Sequence, residues 1–320
     1  MELYTKSNLK GVKMCKKLIK IMIMGIFIFS FNCKEKKDGY EIVPIYSPIH
    51  DEATWSPDGK KIAYVVTPTG TNGYPEIWIM DIETGEKRFL CYGEQPDFSP
   101  DGKKIVFVDA GICIININGD SLVRLTHGRG VSPHWTPEGK RIVFWSGQKI
   151  RTIKIDGTDE KILISEDKKI GEVDWSPVNP NQLVCSGSWY IDTIPREAIF
   201  ISDTLGENRV LLFVSDNIAR YPEWSPDGKK VVFSGELYNQ QGCMGSQIYV
   251  VNADGTGLKQ LTTEGGDQPY WSPDGKKIVY TRINILINPE EDPRNGYLWV
   301  MDADGSNKKQ LTFPGKGGEQ

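Results

Sequence analysis

One short motif recurs six times along this chain, and its spacing constrains the fold more than any other feature. The motif is an aromatic residue followed by Ser-Pro-Asp-Gly, two lysines and an apolar run, as in residues 55–64. The six lead aromatic residues are Trp55, Phe98, Trp135, Trp175, Trp224 and Trp271. They are separated by 43, 37, 40, 49 and 47 residues, a period typical of one four-stranded propeller blade.

The chemistry of the motif predicts a strand, a tight turn and a second strand. Proline suits the second position of a type I turn, and the glycine takes the left-handed conformation that follows it. The third copy is Thr-Pro-Glu-Gly, and in the fourth copy residues 178–181 replace Asp-Gly-Lys-Lys. Short β-branched and aromatic segments then predict third strands. These segments cover residues 77–81, 112–115, 150–153, 199–201, 248–251 and 298–301.

Fourth strands, such as residues 258–262 and 308–312, follow further turn signals and complete each unit. A lone four-stranded sheet exposes two faces, whereas a radial arrangement buries them between neighbouring blades. We therefore expect an all-β chain, a six-bladed β-propeller of four-stranded antiparallel blades over residues 41–320. Residues 41–46 predict one more strand. We expect it to pair with the last blade and help close the ring, although that blade has a fourth strand of its own.

The first part of the chain, residues 1–32, has the pattern of an export signal. Lysines precede an apolar run over residues 21–31, which is about half as long as a helix needs to cross a bilayer of roughly 30 Å. This pattern predicts a secretory signal peptide, with Met14 as an alternative start.

The end of that run resembles the cleavage box of bacterial lipoproteins, which implies lipidation at Cys33. Residues 33–40 would then form a polar tether, and the lipid would hold the domain at a membrane without a spanning helix. Plain secretion with cleavage elsewhere and an uncleaved N-terminal anchor are the alternatives.

The six motif copies resemble the TolB-like propeller family, whose repeat is the Pro-Asp relative of the WD-type repeat. The resemblance covers residues 41–312 and implies six blades. TolB proteins carry a separate α/β domain before the propeller. We do not expect one here, because only a short segment separates Cys33 from Asp51. Prolyl-oligopeptidase-like enzymes combine such repeats with a hydrolase domain, but the chain has no Gly-x-Ser-x-Gly nucleophile turn.

The charge balance and the cysteine spacing each argue against one class of ligand. The chain has 42 acidic and 38 basic residues, and six of its lysines lie in the leader, so the remainder is distinctly acidic. This balance argues against nucleic acid, which needs a basic face. Cys91, Cys113, Cys185 and Cys243 lack the paired spacing of a zinc site. We therefore expect buried free thiols, no metal and no cofactor.

Candidate binding residues lie in long connections between second and third strands. In a propeller these connections share one rim with the loops between blades, and loop length on one rim indicates a binding face. We expect a protein or peptide partner to contact this rim; the alternative is that the side chains fold back over the blade tops. The candidates are Trp189, Tyr190, Arg196, Tyr238, Gln241, Arg282 and Arg294.

Two further sets of residues point to the central channel. His127 and His134 lie around the entry to the third blade and His50 precedes the first. We include His127 and His134 among the binding candidates, with isolated polar histidines as the alternative. A polar row directly precedes the lead aromatics, at Thr54, Asp97, His134, Asp174, Glu223 and Tyr270. This row predicts a ring of side chains that hydrogen-bond to neighbouring blades or water, with a cation or polar-ligand site as the alternative.

The sequence shows no catalytic constellation, so we expect a non-catalytic binding or scaffold propeller. It would be lipid-anchored at the cell envelope, on the periplasmic or extracellular side, and would recognise an envelope protein or peptide. The alternative is an extracytoplasmic lyase or hydrolase that acts on a carbohydrate or peptide at the channel mouth. The fold does not separate these classes, since propellers host both.

Overall fold

In the computed structural model, the repeats form a six-bladed β-propeller. The structure describes residues 31–36, 39–44, 49–68, 73–128, 130–165, 170–236, 246–283 and 296–313. Across these ranges all regular elements are β-strands. No helix in this part of the chain has the length and apolar character needed to cross a membrane.

The strands of blades one to three follow the predicted order. Blade one comprises β3 (Ile49–Trp55), β4 (Lys61–Thr67), β5 (Glu76–Asp81) and β6 (Lys87–Tyr92). Blade two comprises β7 (Glu94–Phe98), β8 (Lys104–Val108), β9 (Ile112–Asn116) and β10 (Val123–Arg124). Blade three comprises β11 (Val131–Trp135), β12 (Arg141–Ser146), β13 (Lys149–Lys154) and β14 (Lys161–Ile164).

Blades four to six repeat the pattern. Blade four comprises β15 (Ile170–Trp175), β16 (Gln182–Ile191), β17 (Ile194–Asp203) and β18 (Val210–Ser215). Blade five comprises β19 (Ala219–Trp224), β20 (Lys230–Gly235), β21 (Gln247–Asn252) and β22 (Lys259–Gln260). Blade six comprises β23 (Asp267–Trp271), β24 (Lys277–Ile283), β25 (Gly296–Asp302) and β26 (Lys309–Gln310). Every blade is a four-stranded sheet in chain order, which confirms the predicted fold class.

The motif forms the turn that its residues predict. In blade one, Ser56 Oγ donates to Asp58 Oδ1 at 2.6 Å, and the backbone N–H of Lys61 donates to Ser56 Oγ at 2.9 Å. Gly59 has a φ of +69° and its N–H donates to the Ser56 carbonyl. Only glycine adopts this φ without strain, so the Asp-Gly pair fixes the reversal between the first two strands.

Neighbouring blades bury five of the six lead aromatics between them, while Trp175 is partly buried. Six clusters of buried side chains each combine residues of two adjacent blades, including blades six and one. Trp224 and Trp271 are both buried. Because every blade packs on a face of the next one, the ring buries the apolar faces that a single sheet would expose.

The ring closes without a strand exchanged between its ends, contrary to our expectation. The predicted strand at residues 41–46 is instead β2 (Gly39–Pro44), which pairs with β1 (Phe31–Lys36) in a separate two-stranded sheet. The prediction was wrong because β26 already occupies the outer edge of blade six. Closure rests on packing of blade six against β3, which includes an edge-on contact between the His50 and Tyr297 rings.

Candidate functional site: the channel and the long-loop rim

The first strand of each blade lies innermost, and these six strands contact one another around the axis. Two sets of equivalent residues on them form rings in the channel. The upper ring, three positions before each lead aromatic, comprises Glu52, Gln95, Ser132, Glu172, Tyr221 and Gln268. The lower ring, one position before each lead aromatic, is the predicted polar row of Thr54, Asp97, His134, Asp174, Glu223 and Tyr270.

A β-bulge in each first strand places the upper ring. In five blades the strand register shifts between the fourth and first positions before the lead aromatic. In blade four it shifts between Ile170 and Val173. Five of the six ring residues have left-handed φ values near +50°, for example Glu52 at 50° and Gln95 at 53°. Bulges re-aim side chains in this way. As a result, Gln95 N–H donates to Glu52 Oε2 at 2.7 Å, and Ser132 N–H donates to Gln95 Oε1 at 2.8 Å.

The upper channel is acidic and poorly solvated. Burial raises the pKa of Asp51 to about 7, with further contributions from the charges of Glu94 and Asp267. Burial, together with the charge of Asp51, raises the pKa of Glu52 to about 8. Burial also raises the pKa of Glu172. Asp51 and Glu52 therefore hold protons at pH values where the same groups would release them in water, unless positive charge approaches them.

Asp97 organises one side of the lower ring. Its Oδ1 accepts from the Tyr270 hydroxyl at 3.0 Å and from Thr54 Oγ1 at 3.4 Å. Its Oδ2 accepts from the Trp135 N–H at 3.1 Å and lies 3.6 Å from His134 Nδ1. The Tyr270 side chain thus reaches from blade six to blade two and helps to close this level of the channel.

The other side of the lower ring brings together an imidazole and two carboxyls. Three side chains, those of His134, Asp174 and Glu223, each place one possible ligand atom here, and these three atoms lie within 4.8 Å of one another. Burial raises the pKa of Glu223 well above its ordinary value, and the charges of Asp174 and Asp97 add to the shift. Burial also raises the pKa of Asp174 to about 6, although the His134 charge opposes the shift. Burial lowers the pKa of His134, but its contact with Asp97 outweighs that effect and the net shift is upward.

The lower ring separates two cavities. The upper one has a volume of about 90 Å³ and is lined by both rings, His134 and Glu223 included. The one below it has a volume of about 210 Å³ and is lined by Asp174, Glu223 and lead aromatics. A larger groove of about 680 Å³ lies on the tight-turn rim between blades five and six. In this groove Lys230 donates to Asn252 and Lys259 donates to the Asp304 carbonyl. Both ammonium groups therefore already have protein partners, and the groove is a weaker candidate for a binding site.

Blade four projects an extended hairpin from the long-loop rim. Residues 187–197, expected to be a loop, are mostly strand, because β16 and β17 pair over ten residues each up to Ile191 and Ile194. Asp192 and Thr193 form the two-residue turn with φ values of 48° and 70°, which matches a type I′ hairpin. The hairpin therefore carries its tip away from the blade core.

The comparisons with known proteins agree with this architecture. A family model described as the TolB β-propeller domain matches residues 37–177. The match covers blades one to three and the first strand of blade four, where the chain resembles a TolB-like propeller. Among solved structures, an oligogalacturonate lyase from Vibrio parahaemolyticus superposes with a TM-score of 0.53 at 12% identity, over 89% of this chain and 85% of that one.

Two further solved structures resemble this propeller in fold. The β-propeller domain of the Trilobed protease from Pyrococcus furiosus, described as having an open velcro topology, gives a TM-score of 0.52 at 14% identity, over 84% of this chain and 99% of that one. An acylaminoacyl peptidase from Pyrococcus horikoshii gives 0.50 at 17% identity, over 83% of this chain. This chain spans about half of that peptidase, 52% of its length. At these identities the likeness concerns the fold alone.

On the hairpin of blade four, the candidate aromatics differ in exposure. Trp189 packs on Phe200, with ring centroids 5.8 Å apart, and belongs to the core edge of blade four. Tyr190 is 55% exposed, and Ile191 and Ile194 beside it are also exposed. Arg196 pairs with Asp216 on the same rim. The hairpin tip, defined as Tyr190, Ile191 and Ile194, is thus its apolar exposed part.

The remaining candidates do not converge. Arg282 lies over the Trp299 ring at 4.8 Å and donates to the Glu264 carbonyl at 3.3 Å, so it packs within blade six. Tyr238, Gln241 and Arg294 lie outside the described residues. Of the three histidines, His134 alone joins the lower-ring cluster among the described residues, while His127 and His50 do not. Burial lowers the pKa of His50 to about 4.

Sequence reasoning missed a second aromatic patch on the long-loop rim. Tyr74, Phe89 and Tyr92 are exposed on blade one, and their rings form a chain of edge contacts with Trp78. These residues belong to one loop and two strands, so only strand pairing brings them together. The upper ring was also missed, although alignment of the six repeats shows mostly polar residues at that position.

Proposed function

We propose that this chain is a non-catalytic binding propeller that recognises a protein or peptide partner through its long-loop rim. The observation that carries the proposal is the exposed hairpin tip of blade four. A solvent-exposed Tyr with two neighbouring Ile side chains has the composition of an interface anchor rather than of an ordinary strand end. Among the described strands, the second and third strands reach ten residues each in blade four alone, whereas those of the other blades have five to seven.

Two further observations support this rim as the contact face. The aromatic patch of blade one, with Tyr74 and Tyr92, lies on the same rim. Between it and the hairpin tip, the channel mouth presents Asp51, Glu52 and Glu172, carboxyls with raised pKa values. A basic side chain that approached them would allow them to ionise. The partner would therefore bring apolar groups to the two patches and positive charge to the mouth.

The proposed site of action is the outer side of a cell membrane. The leader pattern of residues 1–32 and the lipoprotein-like Cys33 support export and a lipid anchor. The propeller would then be held at the envelope, on the periplasmic or extracellular side. Labelling of the expressed protein with a lipid precursor tests the anchor, since Cys33→Ser must abolish incorporation if the cysteine is the attachment point.

Site-specific photocrosslinking in cells tests the rim. A photoreactive residue replaces Tyr190 in one variant and Tyr92 in another. The matched control replaces Leu205, which is 64% exposed but lies in the turn between β17 and β18 on the opposite rim of the same blade. We expect one discrete adduct from the two rim positions and none from Leu205. Adducts from Leu205 alone, or no adduct from either rim position, would refute the proposal.

The second candidate is a lyase or hydrolase that acts on a carbohydrate or peptide. It is favoured by the convergence of His134, Asp174 and Glu223, which combine an imidazole with two carboxyls. Against it, the cavity above these residues has only about 90 Å³, whereas small-molecule sites occupy roughly 300–1,000 Å³. Turnover of an oligosaccharide or peptide library that is lost in Glu223→Gln, with no crosslinked partner, would favour the enzyme.

A further inference from the structure

The lower ring holds a buried carboxyl whose hydrogen-bond partner is a second carboxyl. Glu223 is 8% exposed, and its one hydrogen-bonding neighbour among the described residues is another acid, Asp174. A buried carboxyl ordinarily has donors around it. Its side chain instead points at an acid and an imidazole, an arrangement that leaves a position for a positive charge.

The three side chains are spaced for a single ion. Their ligand atoms lie within 4.8 Å of one another. Zinc–nitrogen and zinc–oxygen bonds measure about 2.0–2.2 Å, so the ligand atoms of a tetrahedral ion are about 3.4 Å apart. A pair of ligand atoms at the 4.8 Å limit would close by about 1.4 Å through side-chain rotation, and a closer pair by less. His134, Asp174 and Glu223 come from three consecutive blades at equivalent strand positions, so the scaffold that holds them is rigid.

The surrounding contacts orient two of the ligands. Asp174 Oδ2 accepts from the Trp224 N–H at 2.8 Å, which orients the carboxyl. His134 Nδ1 faces Asp97 Oδ2 at 3.6 Å. A histidine that binds a metal through one nitrogen commonly directs the other to a carboxylate. Asp97 is itself fixed by Tyr270 and the Trp135 N–H.

We propose that His134, Asp174 and Glu223 bind one divalent transition-metal ion, with Zn²⁺ or Mn²⁺ as the matching type. One imidazole and two carboxylates suit these ions, with water from either adjoining cavity in the remaining positions. Calcium fits less well because it takes six to eight oxygen ligands. The ion would join blades three, four and five at the channel constriction. This site is separate from the rim contacts of the proposed function.

Calorimetric titration of the tag-free full chain tests the site. The protein is treated with chelator, dialysed, and titrated with ZnCl₂, MnCl₂, CaCl₂ and MgCl₂ in turn. We expect one Zn²⁺ or Mn²⁺ per chain and much weaker binding of Ca²⁺ and Mg²⁺. Electron paramagnetic resonance of bound Mn²⁺ gives a second readout, because immobilised ions lose the spectrum of the hydrated ion.

Matched variants locate the ion. Glu223→Gln and His134→Gln each remove one ligand, and we expect each to weaken binding at least about 100-fold, since loss of a supporting contact alone costs about 10–100-fold. Glu138→Gln is the control, because it removes an exposed carboxyl from the tight turn of the blade that carries His134. It should change the affinity less than about threefold. Circular dichroism of each variant verifies that it is folded.

The proposal is overturned by any of three results. No saturable binding of Zn²⁺ or Mn²⁺ at millimolar concentration would exclude the site. Binding that persists at full strength in both Glu223→Gln and His134→Gln would place the ion elsewhere. Tighter binding of Ca²⁺ than of Zn²⁺ and Mn²⁺ would show that the imidazole is not a ligand.

Discussion

Replacement of Trp224 measures how much one lead aromatic contributes to blade packing. Its side chain is 4% exposed and belongs to the cluster between blades four and five. An aromatic side chain buries about 150–250 Å², which at about 25 cal/mol per Å² corresponds to about 4–6 kcal/mol as an upper value. Core Trp→Ala changes cost about 3–5 kcal/mol. We expect Trp224→Ala to lower the free energy of unfolding by about 4 kcal/mol.

The chain offers its own control for shape and for hydrogen bonding. Phe98 occupies the equivalent position in blade two and is also buried. The Trp224 indole nitrogen has no hydrogen-bond partner, so Trp224→Phe should cost only about 1–2 kcal/mol, for the lost area. In blade three, by contrast, the Trp135 indole donates to the Asp97 carbonyl at 3.1 Å. Trp135→Phe should therefore cost about 1 kcal/mol more than Trp224→Phe.

Urea unfolding, followed by both circular dichroism and fluorescence, gives these free energies if the two transitions coincide. The order expected is Trp224→Ala most destabilised, then Trp135→Phe, then Trp224→Phe. A cost below about 1 kcal/mol for Trp224→Ala would contradict the burial argument. Equal costs for the two Phe variants would contradict the assigned role of the indole hydrogen bond.

Two further predictions concern the turns and the channel. Gly102→Ala should lower the free energy of unfolding by about 1–2 kcal/mol because Gly102 has a φ of +69°, and Gly111→Ala should cost more because its added Cβ would clash with the Thr126 carbonyl; equal losses in urea unfolding would contradict this. Burial, with the charge of Asp51, raises the pKa of Glu52 from 4.5 to about 8. Between these two pKa values the native state holds a proton that the unfolded state releases. The stability conferred by protonated Glu52 is therefore lost as the pH rises from the lower value through the higher one. Relative to wild type, Glu52→Gln should gain at least about 1 kcal/mol between about pH 5 and about pH 9, and a difference that is flat with pH in parallel melts would refute the assignment.

The sequence predicts the fold because the same turn chemistry occurs in every blade. Ser56, Asp58 and Gly59 determine a reversal by local contacts, and the lead aromatics must be buried wherever the blades meet. The lower ring follows from the same logic, since equivalent positions on inner strands share a level. For this reason the sequence alone predicts the row that contains His134, Asp174 and Glu223.

Features that depend on long-range pairing could not be predicted in this way. The segment at residues 41–46 has strand propensity, but propensity does not identify the partner strand, and it pairs with β1. The left-handed φ of Glu52 and Gln95 comes from the bulge and not from residue type. Tyr190 is exposed and Trp189 is packed because neighbouring side chains of a strand point to opposite faces. This difference could be predicted only if these two residues were known to lie in a strand.

The central claim is that the long-loop rim is the binding face. It is tested most directly by the affinity of this chain for the partner that photocrosslinking identifies. The measurement compares wild type, the double variant Tyr190→Ser/Ile194→Ser, and Leu205→Ser on the opposite rim. Truncated interface anchors cost about 1–2 kcal/mol or more, so we expect binding at least about tenfold weaker for the double variant and unchanged for Leu205→Ser. Unchanged binding by the double variant, or an equal loss in Leu205→Ser, would contradict the account.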